Sequence, residues 1–385
     1  MVSTLRHVGG RAATAATDIP FLDLGRVHAG LKVELLDAFA GLIDSGEFTN
    51  GPEVARFEDE FARYCGLEHC VGVASGLDGL RLALLGLGVG AGDEVIVPAL
   101  TFAATAEAVS QVGATPVFAD VRDDDYGLDS RAAAAAITTR TRAIIPVHLY
   151  GQVADMRSLE DEAAGHDVAL VEDACQAHGA RRAGRGAGAT GAAGVFSFYP
   201  GKNLGAMGDA GAVVTDDTEL VATLRALREH GQRRKYEHEL EGYTARLDTL
   251  QAKVLLLKLD HLDAWNGERA AAAAWYSTAL AEVGDLQLPT IAAESEPAWH
   301  LYVVRTADPE RLSHFLRERG IGSGRHYPQP LHLAPAYERL GYKAGAFPVS
   351  EAVAAQALSL PIFPGITQDE IARVADAIRE YSDGG

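Results

Sequence analysis

Short apolar runs recur along this chain with helix-like stretches between them. Cys70–Ala74, Glu94–Pro98, Thr115–Ala119, Ala143–Val147 and Ala169–Val171 each read as a buried strand. Leu77–Leu87, Phe102–Val112 and an alanine-rich stretch after Asp129 read as the helices that separate them. Strands that alternate with helices imply an α/β fold, with a mostly parallel sheet covered on both faces. Near residues 194–196 and 212–214 the strands come closer together, as expected where the sheet stops alternating with full helices. The spacing of Leu247, Leu250, Val254 and Leu257 predicts a long helix with one apolar stripe. A second, smaller α/β unit is expected beyond Trp265, with a helix from Glu268 to Leu280, a strand over Leu301–Val304 and a terminal helix after Thr367. The expected boundaries are a mobile N-terminal tail over residues 1–18, a large domain over 19–262 and a small C-terminal domain over 263–385.

Composition narrows the function classes. Across 385 residues, 34 Lys and Arg stand against 53 Asp and Glu, a net charge of −19. That balance speaks against a general nucleic-acid binder, which draws its affinity from a basic surface. No uncharged apolar stretch reaches the roughly 20 residues needed to span a bilayer, and residues 1–17 lack a signal-peptide core. A cytoplasmic protein handling small molecules is the expectation. Cys65, Cys70 and Cys175 are too few for a disulfide framework and match no zinc spacing, so no metal site is expected. Cys175 reads as a small buried filler.

In open α/β sheets ligands collect outside the carboxyl ends of the strands. Ala74-Ser75-Gly76-Leu77 ends one strand and begins one helix, where backbone N–H groups and the helix dipole form a phosphate seat. Ser75 fits an ordinary N-cap equally well. Phe102, at the next helix start, is placed to stack on a flat heterocycle or to join the core. Asp173 ends an apolar strand with its carboxylate at the crevice, and Ser197 is a donor for phosphate or for the local backbone. Lys202 lies between the aromatic run Phe196-Ser197-Phe198-Tyr199 and a glycine-rich stretch. Alone it reads as a surface-turn lysine. Together with a phosphate seat, a ring stacker and a carboxylate for a pyridinium nitrogen, its amine becomes the group that holds an aldehyde cofactor, pyridoxal phosphate.

Two glycine motifs fail on context. Gly186-Ala187-Gly188-Ala189-Thr190-Gly191 matches G-x-G-x-x-G but follows arginines rather than an apolar strand, so a flexible glycine loop is expected. Gly201-Lys202 is followed by Asn203, not the Ser or Thr of a P-loop.

With these residues in place the chain resembles the DegT/DnrJ/EryC1/StrS family of pyridoxal-phosphate-dependent nucleotide-sugar aminotransferases. Ser75-Gly76-Leu77-Asp78-Gly79-Leu80, Pro146-Val147-His148-Leu149-Tyr150-Gly151 and Glu172-Asp173-Ala174-Cys175-Gln176-Ala177-His178-Gly179-Ala180 carry the resemblance. The Lys202 segment, His326-Tyr327-Pro328 and Leu358-Ser359-Leu360-Pro361 extend it from about Ile19 to the C-terminus.

The resemblance implies the aspartate-aminotransferase architecture (fold type I), with a large sheet of the seven-stranded type, and assigns roles. Lys202 would be the Schiff-base lysine, Asp173 the partner of the pyridine nitrogen and Gln176 a neighbour of the phenolic oxygen. Ser75, Ser197 and the Gly76–Leu77 backbone would take the phosphate, and Phe102 would stack on the ring. It also implies a homodimer with sites at the subunit interface. Where the family carries Gly-x-Asn-x-Arg, whose Asn reaches the neighbouring subunit's phosphate, this chain has Gly242-Tyr243-Thr244-Ala245-Arg246, so Thr244 stands in the Asn position.

The implied reaction passes nitrogen from L-glutamate, by way of pyridoxamine phosphate, to a nucleotide-linked keto-deoxysugar. The wording around Ser75 and Lys202 resembles members acting on dTDP-3-keto-6-deoxyhexoses in deoxyaminosugar and antibiotic biosynthesis. A 4-keto substrate is the near alternative, and a non-catalytic relative a more distant one. Sugar dehydratases of the family replace the lysine by histidine, against which Lys202 argues. His326 and Tyr327 are expected sugar or nucleotide contacts. Arg233 and Lys235 would meet a diphosphate, or form a solvated charge run with Arg234.

Overall fold

A computed structural model of the protein describes residues 19–384. The tail expected over 1–18 lies outside the described residues. Seven strands form the main sheet: β1 (His69–Val73), β2 (Glu94–Pro98), β3 (Thr115–Ala119), β4 (Thr141–Ile144), β5 (Ala169–Asp173), β6 (Ala193–Ser197) and β7 (Gly211–Thr215). Their spatial order is β1-β7-β6-β5-β4-β2-β3. The pairs from β3 across to β6 are parallel, whereas β7 is antiparallel to both β6 and β1. No helix separates β6 from β7, and without a helical crossover the chain returns antiparallel. The connecting loop, which carries Lys202, is thereby held at the carboxyl end of β6, beside that of β5.

Both faces of the sheet are buried, as the apolar runs require. Val71, Val95, Val171, Val195 and Val213 point to one face, where Leu80, Leu84 and Val109 of the Gly76–Gly86 and Ala103–Gln111 helices cover them. Ile96, Leu170, Phe196 and Val214 point to the other, against Phe57 and Phe61 of the Pro52–Cys65 helix and Leu255. This is the two-residue period of a strand read on both sides.

The Thr249–Leu259 helix departs from expectation. Leu247 precedes it, and Leu250 and Leu257 are among its less buried residues. Gln251, Ala252, Val254, Leu255, Lys258 and Leu259 are buried, so the helix is enclosed on most of its circumference rather than along one stripe. Two of its buried polar side chains, Gln251 and Lys258, hydrogen-bond to the Lys202 loop.

A separate apolar cluster joins Tyr276, Tyr302, Leu312, Leu316, Phe363, Ile371 and Ile378. Apart from Phe363, which follows the second strand, these come from the Leu262–Ala279, Pro309–Glu318 and Gln368–Asp383 helices and an antiparallel strand pair, Tyr302–Arg305 with Ala357–Leu360. We propose the domain division near residue 262 on this clustering. Ile19 packs into the same cluster and exchanges backbone hydrogen bonds with Gly320 and Gly322, so the first described residues return to the C-terminal unit. Among the described residues, no helix is long and apolar enough to cross a membrane.

Candidate active site

The strand ends of β1, β5 and β6 meet at one place. Ser75 caps the Gly76–Gly86 helix: its Oγ accepts from the Asp78 N–H at 3.1 Å and donates to Asp78 Oδ2 at 3.0 Å. Gly76 is pressed against the neighbouring strand ends. A Cβ there would stand 2.8 Å from Cys175 Sγ and 2.8 Å from Ser197 Cβ, and one on Gly211 would stand 2.4 Å from the Ser75 carbonyl carbon. The N–H groups of Gly76 and Leu77 lie in the first helical turn, where a helix offers no acceptor of its own. Backbone donors, the positive helix end and the Ser75 and Ser197 hydroxyls form a cradle that fits a phosphate.

Asp173, at the end of β5, is buried, with both carboxylate oxygens held. Oδ2 accepts from Thr105 Oγ1 at 2.8 Å and Oδ1 from the Cys175 N–H at 3.2 Å. Thr105 in turn lies 3.0 Å from the Thr101 hydroxyl. This support escaped the sequence reading, in which Thr105 is a lone hydroxyl at the start of an alanine-rich helix.

Gln176 is buried; its Oε1 accepts from the Tyr150 N–H at 2.8 Å, and its Nε2 donates to the Tyr327 hydroxyl at 3.1 Å. The Tyr327 ring lies 5.6 Å from that of Phe102, which is 55% exposed at the N-cap of its helix. His326 stacks on Phe21 at 5.4 Å, its Nδ1 is 2.9 Å from Ser359 Oγ, and its carbonyl accepts from the Tyr150 hydroxyl. Burial, and then the Lys202 charge, push the His326 imidazole down to about 4, so the ring is neutral at physiological pH.

Lys202 is half-buried in the β6–β7 loop, and among the described residues no acceptor takes its Nζ. Burial pushes its amine below the ordinary lysine value, a shift that Cys175 and Asp173 counter. Its charge is felt at Cys175, His178, His300 and His326, which places the amine among them. A less basic amine with a fixed carboxylate nearby and a phosphate cradle at the adjoining strand ends is a donor set that fits pyridoxal phosphate.

The stretch from Gly186 to Gly191 is not the flexible loop expected. The N–H groups of Gly188, Thr190 and Gly191 donate to the Glu172 carboxylate at 2.9, 2.6 and 2.8 Å, and His148 Nε2 reaches it at 2.7 Å. Burial alone would raise the Glu172 carboxyl; the His148 hydrogen bond and charge, with the loop amides, outweigh it and hold the group below its ordinary value. The glycines shape an anion-binding nest around the protein's own carboxylate, one residue before Asp173.

Three candidates stand apart within one chain. Thr244 is exposed, 3.2 Å from His230 Nε2. Arg233 pairs with Glu239 at 2.8 Å, and Lys235 lies over the Tyr236 ring at 5.4 Å. Among the described residues, none of these contacts is to the Lys202 cluster.

Residues 30–379 match the model of the DegT/DnrJ/EryC1/StrS aminotransferase family. The chain belongs to this family. It is 50% identical to the dTDP-3-amino-3,4,6-trideoxy-α-D-glucose transaminase of Streptomyces venezuelae, over 95% of this chain and 96% of that one. It is 44% identical to the UDP-N-acetyl-3-dehydro-α-D-glucosamine 3-aminotransferase of Acidithiobacillus ferrooxidans, over 96% of this chain and all of that one. Among solved structures, S. venezuelae DesV in complex with a ketimine intermediate superposes with a TM-score of 0.93 at 50% identity, covering 95% of this chain and 98% of that one. The Bacillus subtilis protein NtdA with bound pyridoxamine phosphate gives 0.87 at 29% identity, covering 96% and 87%. This family member is therefore a pyridoxal-phosphate-dependent aminotransferase of the α/β, fold type I architecture.

Proposed function

We propose that the enzyme transfers an amino group from L-glutamate to C3 of a dTDP-linked 3-keto-6-deoxyhexose, in deoxyaminosugar biosynthesis. The observation that carries the reading is the meeting of the Ser75–Leu77 cradle, the braced Asp173 carboxylate and the Lys202 amine at adjacent strand ends. The choice of C3 draws support from the two relatives, both named for a 3-amino product or a 3-aminotransferase activity.

Bound pyridoxal phosphate supplies an aldehyde and a ring that withdraws electrons from the substrate carbon. Ser75, Ser197 and the Gly76 and Leu77 N–H groups would bind its phosphate, Phe102 would stack on its ring, and Gln176 would lie beside the phenolic oxygen. Asp173, unable to turn because Thr105 and the Cys175 N–H fix both its oxygens, would hold a proton at the ring nitrogen. Lys202 Nζ, made less basic by burial, would be the group that takes up and gives back the proton moved in the reaction. His326 and Tyr327 would contact the sugar nucleotide.

A homodimer completes the proposal. Val33, Leu36 and Ile43 form an exposed apolar face on the Lys32–Ser45 helix, and Phe48, Tyr199 and Met207 are also exposed. A second copy covering such residues would bring Thr244, Arg233 and Lys235 to the neighbouring site. A cytoplasmic location accords with three unpaired cysteines.

The test offers purified enzyme a dTDP-3-keto- and a dTDP-4-keto-6-deoxyhexose with glutamate and locates the new C–N bond by NMR. Amination at C3 is expected. Amination at C4, or of neither sugar, would overturn the substrate assignment.

A further inference from the structure

Asn203, next to Lys202, is buried with its amide committed to the C-terminal unit. Its Nδ2 donates to Asn266 Oδ1 at 2.8 Å and to the Ala298 carbonyl at 2.7 Å; its Oδ1 lies 3.1 Å from His300 Nδ1. With two oxygens facing the amide nitrogen, the amide oxygen must be the end that meets His300. Burial, with the Lys202 charge second, keeps His300 neutral, so Nδ1–H donates. The set continues outward. Asn266 Nδ2 donates to the His178 carbonyl at 2.8 Å, in the loop that also carries Gln176. One turn further on, Arg269 donates to the carbonyls of Trp299, His300 and Ile362 at 3.3, 3.3 and 3.0 Å, which fixes the segment bearing His300. Beyond Lys202 the Thr249–Leu259 helix takes over: Lys258 donates to the Gly205 carbonyl, and Gln251 Oε1 accepts from the Met207 N–H at 2.8 Å. The loop bearing Lys202 is thus gripped by two helices outside the sheet.

We propose that Asn203 is a positioning residue for Lys202, and that its hydrogen bonds to Asn266, Ala298 and His300 set where the lysine amine sits. The proposal rests on reading Lys202 as the cofactor lysine. An amine that must take up a proton at one atom and deliver it at another tolerates little displacement, and a shift of about 1 Å costs on the order of 100-fold in rate. Among the described residues the amine makes no hydrogen bond that would hold it, so its backbone must supply the precision. A loosened loop would also admit water to the amine and relieve the burial that depresses its basicity.

Two variants test this: Asn203→Ala, which removes the grip, and His300→Phe, which removes one bond while keeping a ring in place. In cofactor-free protein, acetylation of Lys202 is followed against pH by peptide mass spectrometry; in loaded enzyme, kcat and KM are measured. Both labelling midpoints are expected to move up toward the ordinary lysine range. In Asn203→Ala, kcat should fall about 10- to 100-fold with KM nearly unchanged and a cooperative melt retained; His300→Phe should show a smaller fall. Wild-type labelling midpoints and kcat in His300→Phe and in folded Asn203→Ala would overturn the proposal alone. Should Asn203→Ala fail to fold, an unchanged His300→Phe overturns it by itself. Full turnover by Lys202→Ala would overturn the parent reading and this proposal with it.

Discussion

A methyl group on Gly76 would stand 2.8 Å from both Cys175 Sγ and Ser197 Cβ, at a point where three strand ends converge. Gly76→Ala must therefore push Ser197 and Cys175 away from the helix start. Overpacking of this kind costs about 1–3 kcal/mol, and here the strain falls on the phosphate cradle. Cofactor affinity should drop about tenfold or more in a fluorescence titration; an unchanged Kd would contradict the cradle. Thr105→Val isolates a second contact, the 2.8 Å hydrogen bond to Asp173 Oδ2. A hydrogen bond to a charged group contributes roughly 1.5–3 kcal/mol, so kcat should fall about 10- to 100-fold with the fold intact. Equal activity would mean that Asp173 needs no brace. Thr105 shows what residue-level reading misses: a buried hydroxyl among alanines carries no mark of the carboxylate it will meet 68 positions later.

At the scale of elements, the β6–β7 return and the Gly186–Gly191 loop set the positions of Lys202 and Asp173. Glu172 is the anchor of that loop, and it is fully buried. Removing the Glu172 carboxylate leaves the N–H groups of Gly188, Thr190 and Gly191 without their acceptor, at about 1–3 kcal/mol for a buried donor left unsatisfied. Glu172→Ala should lower stability by that order in urea unfolding and speed hydrogen exchange at Gly188, Thr190 and Gly191. Slow exchange in the variant would contradict the nest. The strands were legible in the sequence because strands buried on both faces write themselves as short apolar runs. The nest was not, because its three donors are backbone amides, and the glycines that let the loop close on Glu172 read in the sequence as a flexible stretch. The Thr249–Leu259 helix misled for a related reason: Gln251 and Lys258 look like a solvent face, yet they are buried on partners in the Lys202 loop.

Buried neutral histidines give the whole molecule an acid-sensitive stability. Burial, with the Lys202 charge adding to it, pushes His178 down to about 3 and His326 to about 4. The unfolded chain takes up these protons near pH 6.5 while the folded protein refuses them. Stability is thus fully present above that pH and is lost as pH falls toward 4 and then 3. Glu370, held at about 2 by the Arg26 hydrogen bond, acts later: its contribution is present above its ordinary value and is lost as pH falls toward 2. The unfolding free energy from urea titration should therefore already fall between pH 7 and pH 5, by about 2 kcal/mol for His178. His178→Phe should flatten that fall, and an equal slope in the variant would count against it.

Thr244, Arg233 and Lys235 belong to a hairpin region whose contacts within the chain lead away from Lys202. In the proposed homodimer a second copy would bring them to the neighbouring site.

The most direct measurement reduces the loaded enzyme with borohydride and locates the cofactor by peptide mass spectrometry. Pyridoxyl mass on the peptide containing Lys202, absent in Lys202→Ala, is the expected result. The same mass on another lysine, or on none, would contradict the assignment of Lys202 as the residue that holds the cofactor.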